Sequence, residues 1–339
     1  MLQYKELKRL LPIHKEKLLA LENICRAKDG TASSVCSTTE FNCRRDVPVF
    51  FLAFENDSVS GNCPIGGSAK AICNKKEPLN QVNKMQLIGY LSVFLPEDNT
   101  AELNVLVHPG YRRQGIFTEL LQRANTALSV IGTEEFVFVC EPSSTDAAAA
   151  MPAMKAKKKS SEYQMLLENT SCIPASFYCT RSGSSSPEAT ADKPKPANSE
   201  ILGELLEATP DDLPLLGRMN ALFFETSDEM GELFAEESYY TQDTTVYKYV
   251  ITDEHQKTVP IGTVCFFEEE TIGNIFGLGI LPEYRGHGYG KDLLAQLFAC
   301  IPADKKIILQ VSDRNAAAFQ LYQKAGFRII AQQDFWLLP

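Results

Sequence analysis

Two alternations of strand-like and helix-like spacing follow one another along this chain. In the first, "VPVFFLAFE" (47–55), "LIGYLSVFL" (87–95) and "AELNVLVHP" (101–109) read as strands, the last two joined by a polar turn around 97–100. Residues 115–128 then place Ile116, Leu120, Leu121, Ala124 and Leu128 on one helical face, and "EEFVFVC" (134–140) is a further short strand. The N-terminal 24 residues carry an amphipathic helical rhythm with acids among the bases, unlike a signal or transit peptide. Between the first two strands, residues 55–86 are polar and aperiodic and read as a long insertion.

Residues 169–199 change character. "GSSSPEATADKPKPANS" is rich in Ser, Pro and Gly and has no periodic apolar positions, which predicts a linker or mobile loop. The basic run 155–159 before it reads as a solvated turn. After the linker the order restarts: a strand at 200–208, helices at 210–224 and 227–240, and a hairpin over 244–253 and 259–270. A strand at 271–282, a helix at 288–300, a strand at 305–312, a helix at 314–326 and a closing strand pair at 327–339 complete it. The expected organisation is a first domain over 1–168, the linker over 169–199, and a second domain over 200–339.

Both halves contain the same junction, "VHPGYRRQGIFTELL" and "ILPEYRGHGYGKDLL", where Tyr-Arg-x-x-Gly leads from a strand into a helix. An internal duplication accounts for this. Glycines at 286, 288 and 290 let a ligand approach the backbone, and the first-turn amides of a helix have no acceptors of their own. Arg285 adds positive charge, so the junction is built for an anion. A Walker loop is excluded because Asp292 follows Gly290-Lys291, and a dinucleotide fingerprint because Pro282 stands where its third Gly belongs.

Composition narrows the function classes. Ten cysteines include no C-x-x-C pair, and neither His108 nor His287 stands at metal-ligand spacing from one, so free thiols and no metal are expected. A net charge of −10 argues against a nucleic-acid surface, and no apolar run has the length of a membrane span. A cytoplasmic location is the default expectation.

The third phosphate-binding pattern, Arg/Gln-x-x-Gly-x-Gly/Ala, is met by Arg285, Gly288 and Gly290, and it resembles the coenzyme A loop of the GNAT acyltransferases. Downstream, "LQVSDRNAAAFQLYQKAGFRII" is similar to the family's next segment, with Asn315, Leu321-Tyr322 and Gly326-Phe327 in place. The resemblance covers nearly all of the chain outside the insertion and linker. It implies an α/β protein of two tandem GNAT-type domains, each a splayed mixed β-sheet flanked by helices. It also implies acetyl-CoA as co-substrate and direct attack by an amine on the thioester.

By the same resemblance, the cofactor would meet Leu278, Ile280, Arg285, Gly286, His287, Gly288, Tyr289, Gly290, Lys291 and Asn315. Tyr322 would protonate the leaving thiolate. Backbone amides of "GLGI" would polarise the thioester oxygen. The base is open: Asn274 stands where some relatives carry Glu, leaving a water relay to Glu268 or Glu269. In the first half Arg112, Arg113, Gln114 and Gly115 form a possible second cofactor site. Phe117, however, replaces the expected small residue, and no Asn, Leu-Tyr, Gly-Phe succession follows. Chemistry is therefore expected in the second domain, with Phe224, Glu225 and Trp336 as acceptor-binding candidates. A small primary amine is the leading acceptor. A protein lysine or N-terminus, or a non-catalytic acyl-CoA sensor, is the alternative.

Overall fold

A computed structural model describes residues 2–32, 35–39, 42–56, 85–97, 99–178, 202–253 and 255–339. Most of the expected insertion and the stretch 179–199 of the expected linker lie outside these residues. The chain forms two compact units: Met1–Lys159 with Asp334–Pro339, and Ser160–Gln333.

In the first unit the strands are β1 (Leu2–Leu7), β2 (Phe50–Asn56), β3 (Met85–Glu97), β4 (Thr100–Val107) and β5 (Glu135–Cys140). They are ordered β1-β2-β3-β4-β5, antiparallel except for the parallel β4–β5 pair. The N-terminal rhythm is not one helix. Leu2–Leu7 joins the sheet edge, and Pro12, tolerated at a first helical turn, starts helix α1 (Pro12–Asp29). Helix α2 (Ile116–Leu128) buries Ile116, Leu120, Ala124 and Leu128 against the sheet, as its periodicity requires. A short helix, α3 (Thr145–Ala153), follows β5 where no periodic pattern announces one.

The closing strands depart from the sequence reading. The basic run belongs to a strand, β6 (Lys157–Leu167), and the expected terminal strand pair is the single strand β12 (Arg328–Leu337). Asp334–Leu337 of β12 completes the first unit by pairing antiparallel with Val137–Cys140 of β5. Glu162–Leu167 of β6 belongs to the second unit, paired antiparallel with Ile307–Ser312 of β11 (Lys306–Ser312). Each unit is thus closed by a strand from the opposite half of the sequence. Residues 169–178 are also part of the second unit: helix α4 (Ala175–Tyr178) buries Phe177, and Ile173 is buried beside it.

The remaining strands of this unit are β7 (Glu204–Glu207), β8 (Thr244–Thr252), β9 (Thr258–Glu268) and β10 (Ile272–Ile280), in the order β6-β11-β10-β9-β8-β7. Its helices are α5 (Leu213–Phe224), α6 (Asp228–Tyr240), α7 (Tyr289–Cys300) and α8 (Ala316–Lys324). Leu293, Leu294 and Leu297 of α7 share one buried cluster with Tyr322 of α8, and Leu216 and Met219 of α5 share another with Ala235 of α6.

Candidate active site

Strand β10 is where the second unit becomes a site. It pairs in parallel with β11 only from Ile272 to Ile275, opposite Lys306 to Leu309. Beyond Ile275 the two strands part, and the β11-facing edge of Phe276–Ile280 has no ladder partner among the described residues. On the other edge a bulge interrupts the pairing with β9, since Phe276 faces Cys265 but Gly279 faces Thr263. Two residues, Gly277 and Leu278, thus oppose one. Gly277 adopts φ +62, a conformation open to glycine at little cost.

The first unit repeats the parting but not the bulge. Strands β4 and β5 pair from Thr100 to Leu103 and then diverge, while β4 stays in unbroken register with β3 from Glu102 to Val107.

The glycine junction follows β10. Pro282–Tyr284 makes one tight turn, Gly286 and Gly288 take φ +82 and +91, and Gly288 caps α7. A Cβ at Gly286 would meet nothing within 4 Å, so the loop is not held open by packing. The Gly288 carbonyl accepts from the amides of Lys291 and Asp292 at 3.0 and 3.1 Å, which leaves the amides of Tyr289 and Gly290 without intrahelical acceptors. These features fit a pyrophosphate.

Arginine is used differently in the two junctions. In each, its Nε donates to the carbonyl ending the preceding strand: Arg285 to Ile280 at 2.8 Å, Arg112 to Val107 at 3.0 Å. The Arg112 guanidinium then closes on both carboxylate oxygens of Asp29 (2.8 and 2.6 Å) and on Asp146 (2.5 Å). These hydrogen bonds hold its pKa above the ordinary value. Among the described residues Arg285 makes no ion pair, so its charge remains available to an incoming anion. Arg113 sits at φ +64, and Gln114 donates to the Gly110 carbonyl. Phe117 packs on Phe138, ring centroids 5.3 Å apart, and so lies with the core rather than over the loop.

Tyr322 lies on α8 with its ring buried, 5.9 Å from that of Phe327. Burial pushes its hydroxyl up to about 12, so the group stays protonated at neutral pH. The hydroxyl has no hydrogen-bond partner among the described residues. Asn315 caps α8, its Oδ1 accepting from the Ala318 amide at 3.1 Å. The Lys291 ammonium lies 5.6 Å from the ring centre of Phe177.

Helices α5 and α6 cover the bulge. A Cβ on Gly279 would run into the Phe223 ring, and one on Gly277 would lie 3.2 Å from Phe234. Phe224 is half exposed, with its centroid 5.4 Å from that of Phe234. Glu225 ends α5 at φ +53. Trp336 is not brought to these residues within one unit, because it belongs to the first unit, opposite Phe138 in β5. Glu268 gives its carboxylate to the Lys305 ammonium.

One acid escaped the sequence reading. Glu162 lies on β6, a strand that chain order assigns to the first half. In the second unit it stands opposite Ser312, and desolvation, with the nearby Asp313 charge, raises its carboxyl above the ordinary range. Met165 and Leu167 face the α7–α8 cluster, so strand alternation puts Glu162 on the other face of the sheet. Its neighbours Ser160, Ser161 and Gln164 are polar, so the sequence carries no signal that singles it out; only the pairing does.

The sequence matches the acetyltransferase (GNAT) family over residues 74–152 and 217–327. The chain belongs to the GNAT acetyltransferases and carries two tandem domains of that fold. Among solved structures it is similar to a GCN5-related N-acetyltransferase from Sphaerobacter thermophilus, at 15% identity and a TM-score of 0.65, covering 100% of this chain and 96% of that one. It also resembles a tandem GNAT protein from the clavulanic acid biosynthesis pathway, at 15% identity and a TM-score of 0.59, covering 99% and 98%. A GNAT-family acetyltransferase from Colwellia psychrerythraea aligns at 14% identity and a TM-score of 0.53, covering 99% and 100%. No curated protein matches the chain in sequence. Among the described residues there is no metal-binding cluster, and no helix is long and apolar enough to cross a membrane.

Proposed function

We propose that the protein is an acetyl-CoA-dependent N-acetyltransferase acting on a primary amine, with the chemistry in the second unit. The observation that carries this is the asymmetry of two otherwise matching junctions. The second unit combines a bulged strand, an arginine that makes no ion pair among the described residues, and a buried, protonated tyrosine. The first has a strand in unbroken register from Glu102 to Val107 and an arginine closed on two aspartates.

Acetyl-CoA supplies the acetyl thioester. The first-turn amides of α7 and the Arg285 guanidinium would receive its pyrophosphate. The unpaired edge of β10, with Leu278 and Ile280, would hydrogen-bond the pantetheine amides. Gly277 turns the backbone at the bulge, aiming an amide where negative charge develops on the thioester oxygen. The amine nitrogen bonds to the thioester carbon, the C–S bond breaks, and Tyr322 stands ready to donate to the departing sulfur. The attacking nitrogen must also lose a proton, and Glu162, whose raised pKa marks a basic carboxylate, is the candidate acceptor through solvent.

Titration calorimetry with the full chain tests the assignment. One acetyl-CoA site per chain is expected, with coenzyme A released as free thiol when an amine is supplied. Two equal sites, or binding that persists when Gly288→Val blocks the second junction, would move the chemistry elsewhere.

A further inference from the structure

The acceptor end of this site carries a chemistry of its own. Phe223 and Phe234 lie directly on the bulge glycines, and Phe276 of the bulge itself stands edge-on to Phe234 at 6.0 Å. Phe224 continues the row outward and is left 47% exposed at the end of α5. An aromatic side chain half in water is ordinary by itself. Here it is the outer member of a contiguous row of rings that ends at the thioester-polarising backbone.

The charge on the α5–α6 turn itself has one sign. Between Met219 and Tyr247 the chain has seven acids and neither Lys nor Arg. Glu225, Asp228, Glu229 and Glu232 are all exposed around the α5–α6 turn. Glu225 also holds a left-handed backbone conformation that a non-glycine residue adopts only at some cost. A ligand approaching Phe224 therefore meets a negative field first and an aromatic surface second. That order suits a molecule that is a cation in bulk water and apolar beyond its charged nitrogen. It disfavours acidic peptides and anionic acceptors outright. Polyamines and aminosugars would satisfy the acids but leave the rings unused.

We infer that the acceptor is a small primary amine bearing an aromatic or branched alkyl body, packed along Phe223, Phe224 and Phe234. The inference rests on the reading of the second unit as the acetyl-transfer site, and the experiment separates the two. Free-thiol release from acetyl-CoA by the full-length protein is followed with three acceptors: phenethylamine, spermidine and a neutral lysine-containing peptide. The expected result is a kcat/KM for phenethylamine at least about tenfold above either competitor, the order of discrimination that an apolar contact supplies. Phe224→Ala should lower that value about tenfold or more, chiefly through KM. Phe224→Tyr, which keeps the ring, should retain it, and the acetyl-CoA dissociation constant should be unchanged in both variants. Raising ionic strength should raise the phenethylamine KM, because the guiding acids are exposed.

A preference for spermidine or for the peptide, with cofactor binding intact, overturns the acceptor class alone. So does an indifferent Phe224→Ala. Failure of the wild-type protein to bind acetyl-CoA overturns the underlying site and this inference with it.

Discussion

Replacing Tyr322 by Phe removes one oxygen from a ring whose surroundings are otherwise apolar. The hydroxyl has no partner to lose among the described residues, and the ring contact with Phe327 survives, so stability should shift by less than about 1 kcal/mol. The effect on turnover follows from acidity. With its pKa pushed up to about 12, the hydroxyl would have to give its proton to a thiolate whose ordinary pKa is about 8.5. In water that transfer is uphill by about 3.5 pH units, or about 5 kcal/mol. Inside the strand gap the thiolate is desolvated too, which raises its basicity and narrows the difference. The tyrosine then acts by donating a hydrogen bond to sulfur as the C–S bond lengthens. A hydrogen bond to a charged group is worth about 1.5–3 kcal/mol, which sets the loss at about 10- to 150-fold in kcat. Acetyl-CoA affinity should hold, because the bond strengthens only as charge develops. The assay is steady-state thiol release beside calorimetric titration of the same preparation. The wild-type rate should also show no alkaline fall assignable to Tyr322 below about pH 11, since the raised pKa keeps the hydroxyl protonated. Normal binding with wild-type turnover would refute the role, as would an alkaline limb near pH 9 that the variant abolishes.

Gly279→Ala drives a methyl group into the Phe223 ring, so thiol release should fall at least about tenfold while the far-UV spectrum is preserved; unchanged kinetics would mean the bulge is not the oxyanion-stabilising element. Deleting 334–339 removes the strand paired to β5, together with Trp336 and the Lys158–Asp334 ion pair, and should expose β5 amides to hydrogen exchange while β10 and β11 stay protected. Equal protection of β5 with and without the segment would refute its structural role. Glu162→Gln tests the raised carboxyl through stability. Below about pH 4 the carboxyl is neutral in folded and unfolded chains alike, and as pH rises the unfolded chain ionises first, so stability drains away until the folded carboxyl ionises too. The variant should therefore melt higher than wild type at pH 7.5 and lose that advantage toward pH 4; an advantage independent of pH would sink the argument.

Much of this protein was legible in one dimension because the relevant forces are local. Helix α2 could be read from Ile116, Leu120, Ala124 and Leu128, which recur at the helical period and are all buried. The glycine junction could be read because positive φ, as at Gly286 and Gly288, favours residues without a Cβ for local steric reasons. The duplication showed itself in repeated local motifs. What tertiary structure decided is everything that depends on a partner far along the chain. No local feature says that β6 pairs with β11 and the end of β12 with β5, because a strand's alternation fixes its faces and not its neighbour. That exchange carried Glu162 into the second unit and Trp336 into the first. The different fates of two identical-looking arginines were equally hidden. Arg112 is neutralised by Asp29, 83 residues away, a contact that exists only once α1 folds beside the junction, while Arg285 meets no such carboxylate among the described residues.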